Sequence, residues 1–434
     1  MQVRSMWKRG VLAICAAGLL LLSACASDPA GSQEESAPSQ GPVASRPAHI
    51  TDEDFLSVEE SRLVNRNGET VRLRGVNLGG WLIQENWMCP IVGEDGEWAN
   101  LDTIEVFESR GFTAEQIQTL FDTYQDNWIT EYDLDLIAET GCNVVRVPFW
   151  YRNFMTDDTG TWISENPDEN PGFLRLDWLI EACGERGMYV ILDLHGAPGG
   201  QSLNHCCGTL GENRLYTDET CQLATESLWR AIAARYKDSP VVAAYDVLNE
   251  PQNNGGFEDH PNYVDSWDPA AWDSYNAVYA RLVAAIREVD PAHVISLQGI
   301  WRAENLPDPA DYGWTNMLYQ VHLYDETDAF RDIARQTLRT VSDWKVAGYV
   351  GEFSNLDGIA ICEELGLSWT TWSYKGGTGN WGNWFWVWGS PAAVDPYTDT
   401  YEQILEKWGN PLRTKGHFQE NTELIRLVRE QIAA

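Results

Sequence analysis

"VVAAYDVLNE", residues 241–250, is an apolar run that ends in an amide and a carboxylate, with Pro251 directly after it. The apolar part suits a strand buried on both faces. Asn249 and Glu250 do not, because an unpaired carboxylate in a core is costly. A parallel barrel resolves the conflict: its strand interiors are packed, while their C-terminal ends open into a functional mouth. The stretch therefore predicts a strand that stops at such a rim.

Seven further runs read the same way. They are "LRGVN" (73–77), "NVVRVPF" (143–149), "MYVILDLHG" (188–196), "HVISLQ" (293–298), "MLYQVHLY" (317–324), "AGYVGEFS" (347–354) and "LSWTTWSYKG" (367–376). Amphipathic stretches such as 131–141, 175–187, 221–238 and 272–290 separate them, several ending at a glycine as helices often do. Near-continuous apolar strands alternating with helices imply a parallel sheet covered by helices. The expected fold class is α/β, a single (β/α)8 TIM barrel with elaborated βα loops. A doubly wound open sheet would bring a Gly-rich phosphate loop, and "RGVNLGGW" (74–81) lacks that spacing. Asn67-Gly68, between apolar runs, predicts a hairpin ahead of the first barrel strand.

The N-terminus reads as an address. Arg4, Lys8 and Arg9 precede "VLAICAAGLLLLSAC" (11–25), a signal-peptide core too short to span a membrane. "LLSAC" resembles a bacterial lipobox, which implies lipidation at Cys25 and a membrane link through that anchor alone; ordinary cleavage and secretion is the alternative. Residues 1–25 are thus expected to be a lipoprotein-type signal peptide, 26–52 a flexible Ser/Pro-rich linker and 53–434 the catalytic barrel. Residues 415–434 read as a closing amphipathic helix. A formal charge of -35 excludes nucleic acid, since nothing here neutralises phosphates. Trp is unusually frequent, at 21 residues, more indole surface than a core needs.

The residues that end the apolar runs form a set: Asn77, Arg146, His195, Asn249 with Glu250, His322 with Tyr324, Glu352 and Trp372. Taken singly, each has a plain reading. Arg146 is a rim ion pair, His195 and His322 are satisfied core histidines, Trp372 is packing, and the glutamates are solvated strand ends. Taken together, one per strand, they outline a site. Glu250 and Glu352 follow the fourth and seventh strands and face each other across the mouth. Glycoside hydrolysis needs such a carboxylate pair, about 5–5.5 Å apart when configuration is retained.

"RGVNLGGWLIQENW" (74–87), "VRVPFWY" (145–151), "DLHGAPGGQ" (193–201), "LNEP" (248–251), "VHLY" (321–324), "VGEFS" (350–354) and "SWTTWSYK" (368–375) together resemble glycoside hydrolase family 5, the cellulase and exo-β-1,3-glucanase family. The resemblance implies a retaining, double-displacement β-glycosidase with no metal and no cofactor, acting on a β-linked polysaccharide or oligosaccharide. It makes Glu250 the acid/base and Glu352 the nucleophile. Arg146 would keep the nucleophile ionised, and Tyr324 would hydrogen-bond it beside His322. Asn249 would contact the sugar 2-hydroxyl, His195 would bind the reacting sugar, and Trp372 would lie beneath it. Glu85 stands where the exo-glucanase branch has a sugar-binding Glu, although Asn86 replaces the Pro usual there.

"DLHGAPGGQ" and "GGWLIQE" favour exo-β-1,3-glucanase over endo-β-1,4-glucanase; a transglycosylase or a non-catalytic carbohydrate-binding lipoprotein could use the same barrel. "WGNWFWVWG" (381–389) supplies Trp381, Trp384, Trp386 and Trp388 as candidate stacking surfaces, which Trp81, Trp87 and Trp301 could join. Cys206, Cys207 and Cys221 share one long loop, where a disulfide from Cys221 to one of the pair is expected; zinc with His205 fits no standard spacing.

Overall fold

Eight parallel strands close on themselves in the order 8-1-2-3-4-5-6-7 in the computed structural model. They are β1 (Arg74–Asn77), β2 (Val144–Trp150), β3 (Tyr189–Gly196), β4 (Val242–Asp246), β5 (Val294–Gln298), β6 (Met317–His322), β7 (Ala347–Glu352) and β8 (Ser368–Thr371). The structure describes residues 43–92, 98–251, 257–261, 263, 267–377, 382–389 and 393–433. The expectations for residues 1–25, with Cys25, and for Trp381 lie outside the described residues.

All eight strands coincide with the apolar runs of the sequence, because both of their faces are covered and each needs few polar positions. Helices α1 (Glu131–Glu139), α2 (Pro171–Glu185), α3 (Glu219–Tyr236), α4 (Pro269–Val289), α5 (Thr327–Asp343) and α6 (Leu356–Leu365) form the outer ring. Their starts are written locally: Asn170 accepts from Gly172 N ahead of Pro171, and Asp218 accepts from Thr220 N. Gly366, at φ 74°, ends α6 in the left-handed region that a Cβ would disfavour.

The strand order also fixes which ends meet. Asn77 is level with Arg146, and His322 is level with Glu352, so polar residues from neighbouring staves share one layer at the C-terminal rim. At the other end a plug seals the barrel. Leu56, Leu63, Val71 and Leu73 pack with Val144, Tyr189, Val294, Leu318 and Ala347, residues at or next to the start of their strands.

Three expectations change in detail. The ladder ahead of β1 joins Ser57–Glu59 to Arg62–Val64; Asn67-Gly68 lies in the next turn, closed by a single Val64–Thr70 bridge. The last part of the expected linker is held down: Ala44 N donates to Thr70 O (2.8 Å), Arg46 Nη1 to Cys142 O (2.9 Å) and Ile50 N to Gly184 O (2.9 Å). The tail begins as a short strand, Phe418–Glu420, beside Trp386–Trp388, before the helix α7 (Thr422–Ala433).

Candidate active site

β4 ends its ladder at Asp246, earlier than its apolar run, and the chain turns inward over the next residues. Val247 N still reaches Ser296 O (3.2 Å) and Asn249 N reaches Leu194 O (3.0 Å). Glu250 then takes φ 38°, a left-handed conformation uncommon for a residue with a side chain and one that functional sites often hold. Its carboxylate lies at the centre of the mouth, nine-tenths buried. One side-chain oxygen of Glu250, one of Glu352 and a ring nitrogen of His322 all lie within 4.8 Å of one another.

Glu352 receives donors on both oxygens. Arg146 Nη1 donates to Oε1 at 2.8 Å, and the Tyr324 hydroxyl donates to Oε2 at 2.8 Å. Burial and the Glu352 charge push the Tyr324 phenol well above its usual range, so it remains a donor. Arg146 is wholly buried and spends its other donors on Asp246 Oδ2 (2.7 Å), Asn77 Oδ1 (3.0 Å), Asn249 Oδ1 (2.9 Å) and Asp193 Oδ2 (3.1 Å). Burial acts to lower its pKa, but Asp193, Asp246 and Glu352 raise it far more. Both plain and functional readings of Arg146 therefore hold at once: it is a buried ion-pair centre, and Glu352 is one of its partners.

His322 connects the two glutamates. Its Nδ1 is 2.8 Å from Glu250 Oε1 and 3.4 Å from Glu352 Oε2. The Gln298 side-chain nitrogen donates to His322 Nε2, while the same amide's oxygen accepts from Glu250 N. An imidazole that accepts at Nε2 must carry its proton at Nδ1, so His322 is a neutral ring donating to Glu250. Burial drives its pKa down to about 3, in agreement.

Asn249 orients the third side. Its oxygen is taken by Arg146, which turns its nitrogen to His195 Nε2 at 3.3 Å. His195 Nδ1 pairs with Asp193 Oδ2 at 2.7 Å, and its ring stacks on Trp372 (centroids 5.6 Å, 12° between planes). Burial acts to lower the His195 pKa, yet Asp193 outweighs it and the net shift is upward. Asp246 goes the other way: burial raises it to about 6 against the pull of Arg146.

Glu85 joins from the loop after β1. It accepts from Trp87 Nε1 (2.8 Å) and lies 3.3 Å from His205 Nε2. Burial acts to raise its pKa, but His205 wins and the carboxyl is held below its usual range. His205 is thus a partner of Glu85. Burial and the nearby Glu250 push the thiol of its neighbour Cys206 well up.

The loop that carries them, 197–218, is not stapled as expected, because Cys206, Cys207 and Cys221 are all free thiols. Polar clamps do that work instead. Gln201 Nε2 donates to His195 O (2.7 Å) and Asn249 O (2.9 Å), and Cys207 Sγ is taken up by the carbonyls of Ser202 (3.2 Å) and Asn204 (3.1 Å).

The structure thus gathers Glu250, Glu352, Arg146, His195, Asn249, His322 and Tyr324 in one hydrogen-bonded group, with Trp372 stacked against it and Glu85 beside it. Residues 92–389 match the family described as Cellulase (glycosyl hydrolase family 5). The chain belongs to glycosyl hydrolase family 5. It is a glycoside hydrolase. A beta-xylosidase of Phanerodontia chrysosporium is 26% identical over 368 residues, covering 74% of this chain and 71% of that protein. A probable glucan 1,3-beta-glucosidase A of Aspergillus clavatus is 33% identical over 208 residues, or 47% of this chain and 46% of the relative. This chain thus spans about half the length of that glucosidase. A crystal structure of an endogalactoceramidase superposes with a TM-score of 0.56 at 18% identity, covering 87% of this chain and 84% of that one, which shows the shared barrel.

Asp193, Asp246 and Gln298 also belong to this family-5 site; the first two lie inside their apolar runs, where a reading of the run ends misses them. Asp193 stands two residues before His195, and side chains two apart share a strand face. Gln298 does end its run, but its partner lies on the next strand. Trp81, offered as a stacking surface, is instead core: it is buried and donates to Gln125 O (2.8 Å). Trp384 is buried against Trp87 (centroids 5.6 Å), whereas Trp386 and Trp388 keep partial exposure on their short strand.

Glu250, His322 and Glu352 also form the one cluster, among the described residues, whose donor atoms are close enough to hold a cation. Arg146, 2.8 Å from Glu352, already supplies positive charge there.

Proposed function

We propose that this family-5 enzyme is a retaining exo-β-1,3-glucanase-like hydrolase working by double displacement. The observation that carries the reading is the separation of the carboxylates, with side-chain oxygens of Glu250 and Glu352 within 4.8 Å. That fits the spacing of retaining carboxyl pairs, about 5–5.5 Å, better than the about 6.5–9.5 Å that inversion needs. Glu352, with donors on both oxygens, is suited to attack the anomeric carbon. Glu250, oriented through Oε1 by the neutral His322 N–H, uses its other oxygen for the leaving group, to protonate it and then to deprotonate the incoming water. Arg146 and Tyr324 hold the nucleophile, Asn249 reads the sugar 2-hydroxyl, His195 binds the reacting sugar, and Trp372 lies beneath it.

Exo action is supported by Glu85. With His205 and Cys206 of loop 197–218 against it, it walls one side of the mouth, and the glucan 1,3-beta-glucosidase relatives fit that geometry. The substrate is then the free end of a β-glucan chain. Product length decides: glucose alone from laminarin supports the reading, and mixed oligomers from laminarin or cellulose refute it. We further read residues 1–25 as an export signal ending in a lipidated Cys25, and the chain beyond the linker as one catalytic domain. Globomycin-sensitive processing with a mass gain at Cys25 tests the anchor.

A further inference from the structure

Outside the mouth, a groove of about 1060 Å³ lies between the start of α4, the segment after β5 and the first turns of α5. Trp272, Asn276, Arg302, Asn305, Tyr312 and Gln336 are in its walls, and none of the site residues described above lines it. We infer that this groove is a second carbohydrate site, which holds a β-linked glucan chain while its end is processed; the inference rests on the glucanase reading.

Three observations point to that ligand. First, large aromatic faces are left open at the groove. Tyr312 is 44% exposed and lies flat on Trp314 (4.4 Å, 24°). Trp267, 61% exposed, does not line the groove itself but stands at its edge, under the guanidinium of the lining residue Arg302 at 5.5 Å. Flat rings of this kind match the C–H faces of β-linked sugars.

Second, Asn276 is nine-tenths buried in the wall, and its Oδ1 has no hydrogen-bond partner among the described residues. Its nitrogen lies 3.5 Å from Asn305 O, so the side chain has one long anchor and an acceptor still to satisfy. A buried acceptor left unpaired is destabilising, and a ligand hydroxyl would relieve it.

Third, the walls carry Asp273, Glu304, Asp311 and Asp332. That charge repels phosphate and sulfate polymers and is compatible with a neutral polyhydroxyl chain, whose hydroxyls can donate to carboxylates. The segment after β5 links groove to mouth, since it follows directly on Gln298, the residue that orients His322.

The test uses the full chain and laminarin. In native affinity gels the Glu352→Gln protein should be retarded by laminarin. Adding Trp267→Ala with Tyr312→Ala should weaken that retardation about fivefold, and Asn276→Ala should weaken it as well. In the active background, these groove variants should cleave an aryl β-glucoside as the wild type does and lose rate on long laminarin only. Unchanged retardation in the groove variants overturns the inference, as does parallel loss of aryl glucoside cleavage, which would make the groove part of the mouth. A wild type that cleaves the aryl glucoside yet shows no retardation overturns it too. Failure to cleave any aryl β-glucoside would instead sink the glucanase reading.

Discussion

Gln298 and His322 face each other side chain to side chain, amide nitrogen to Nε2, and that contact decides which end of the imidazole carries the proton. The same amide accepts from the Glu250 backbone, so one glutamine positions both the carboxylate and the ring that serves it.

Replacing Gln298 with Leu should therefore release the tautomer without emptying the mouth. A buried hydrogen bond of this kind is worth about 1–3 kcal/mol, so kcat on an aryl glucoside should fall about 5- to 100-fold with KM little changed. A folded Gln298→Leu protein with wild-type kcat would show that the tautomer is irrelevant.

Glu250→Gln should lower kcat by about 10²–10⁴-fold on substrates whose leaving group needs protonation. On a dinitrophenyl glycoside, whose leaving group departs unaided, the first step should stay fast and the glycosyl-enzyme should accumulate as a burst. Glu352→Gln should abolish turnover on both. Equal losses for both leaving groups in Glu250→Gln would remove it as the acid.

His322 makes stability acid-sensitive. Its pKa falls from 6.5 to about 3 on folding because burial disfavours the charged ring. A depressed group contributes stability that is present above its unfolded value and drains away as pH falls below about 6.5, here up to roughly 4–5 kcal/mol. Asp246, raised to about 6, acts with the opposite sign and loses its contribution as pH rises through that value. The acid limb between pH 6.5 and 3 should flatten in His322→Gln. Denaturant midpoints across that range measure it, and parallel limbs in the two proteins would contradict the assignment.

Lys375 sits wholly buried beside β8, where its ammonium donates to Leu412 O (2.6 Å) and Thr414 Oγ1 (3.1 Å) over the Phe418 ring (4.4 Å). Burial lowers its pKa from 10.5 to about 8, with Asp133 opposing. The wild type should thus gain stability from pH 8 to 10.5, by up to about 3 kcal/mol. Lys375→Met should lack that gain in thermal scans.

Glu85→Gln should chiefly raise KM. Losing a charged acceptor for a sugar hydroxyl costs about 1.5–3 kcal/mol, or roughly 10- to 100-fold in kcat/KM. Initial rates on laminari-oligosaccharides provide the measurement, and an unchanged kcat/KM would remove Glu85 from sugar binding.

The barrel was readable because every strand is a dense apolar run and each run stops at a polar residue that the rim exposes. Glu250 and Glu352 stood out since no core tolerates them unpaired. Asp193 and Asp246 were hidden inside their runs, where a lone acid looks like a defect until Arg146 on a neighbouring strand supplies its partner. The Glu85–His205 pair joins residues far apart in the chain, and nothing local announces it. The loop disulfide was wrongly expected because cysteine spacing reports proximity in sequence, whereas carbonyls and the Gln201 clamp decide where those thiols lie.

The N-terminal segment from residue 44 hydrogen-bonds to Thr70, Cys142 and Gly184, all at the plugged base. The chain therefore joins the barrel, at residue 44, on the side opposite the opening. An enzyme moored to a cell envelope through that end would stand like a cup on its foot, brim turned outward to arriving polymer.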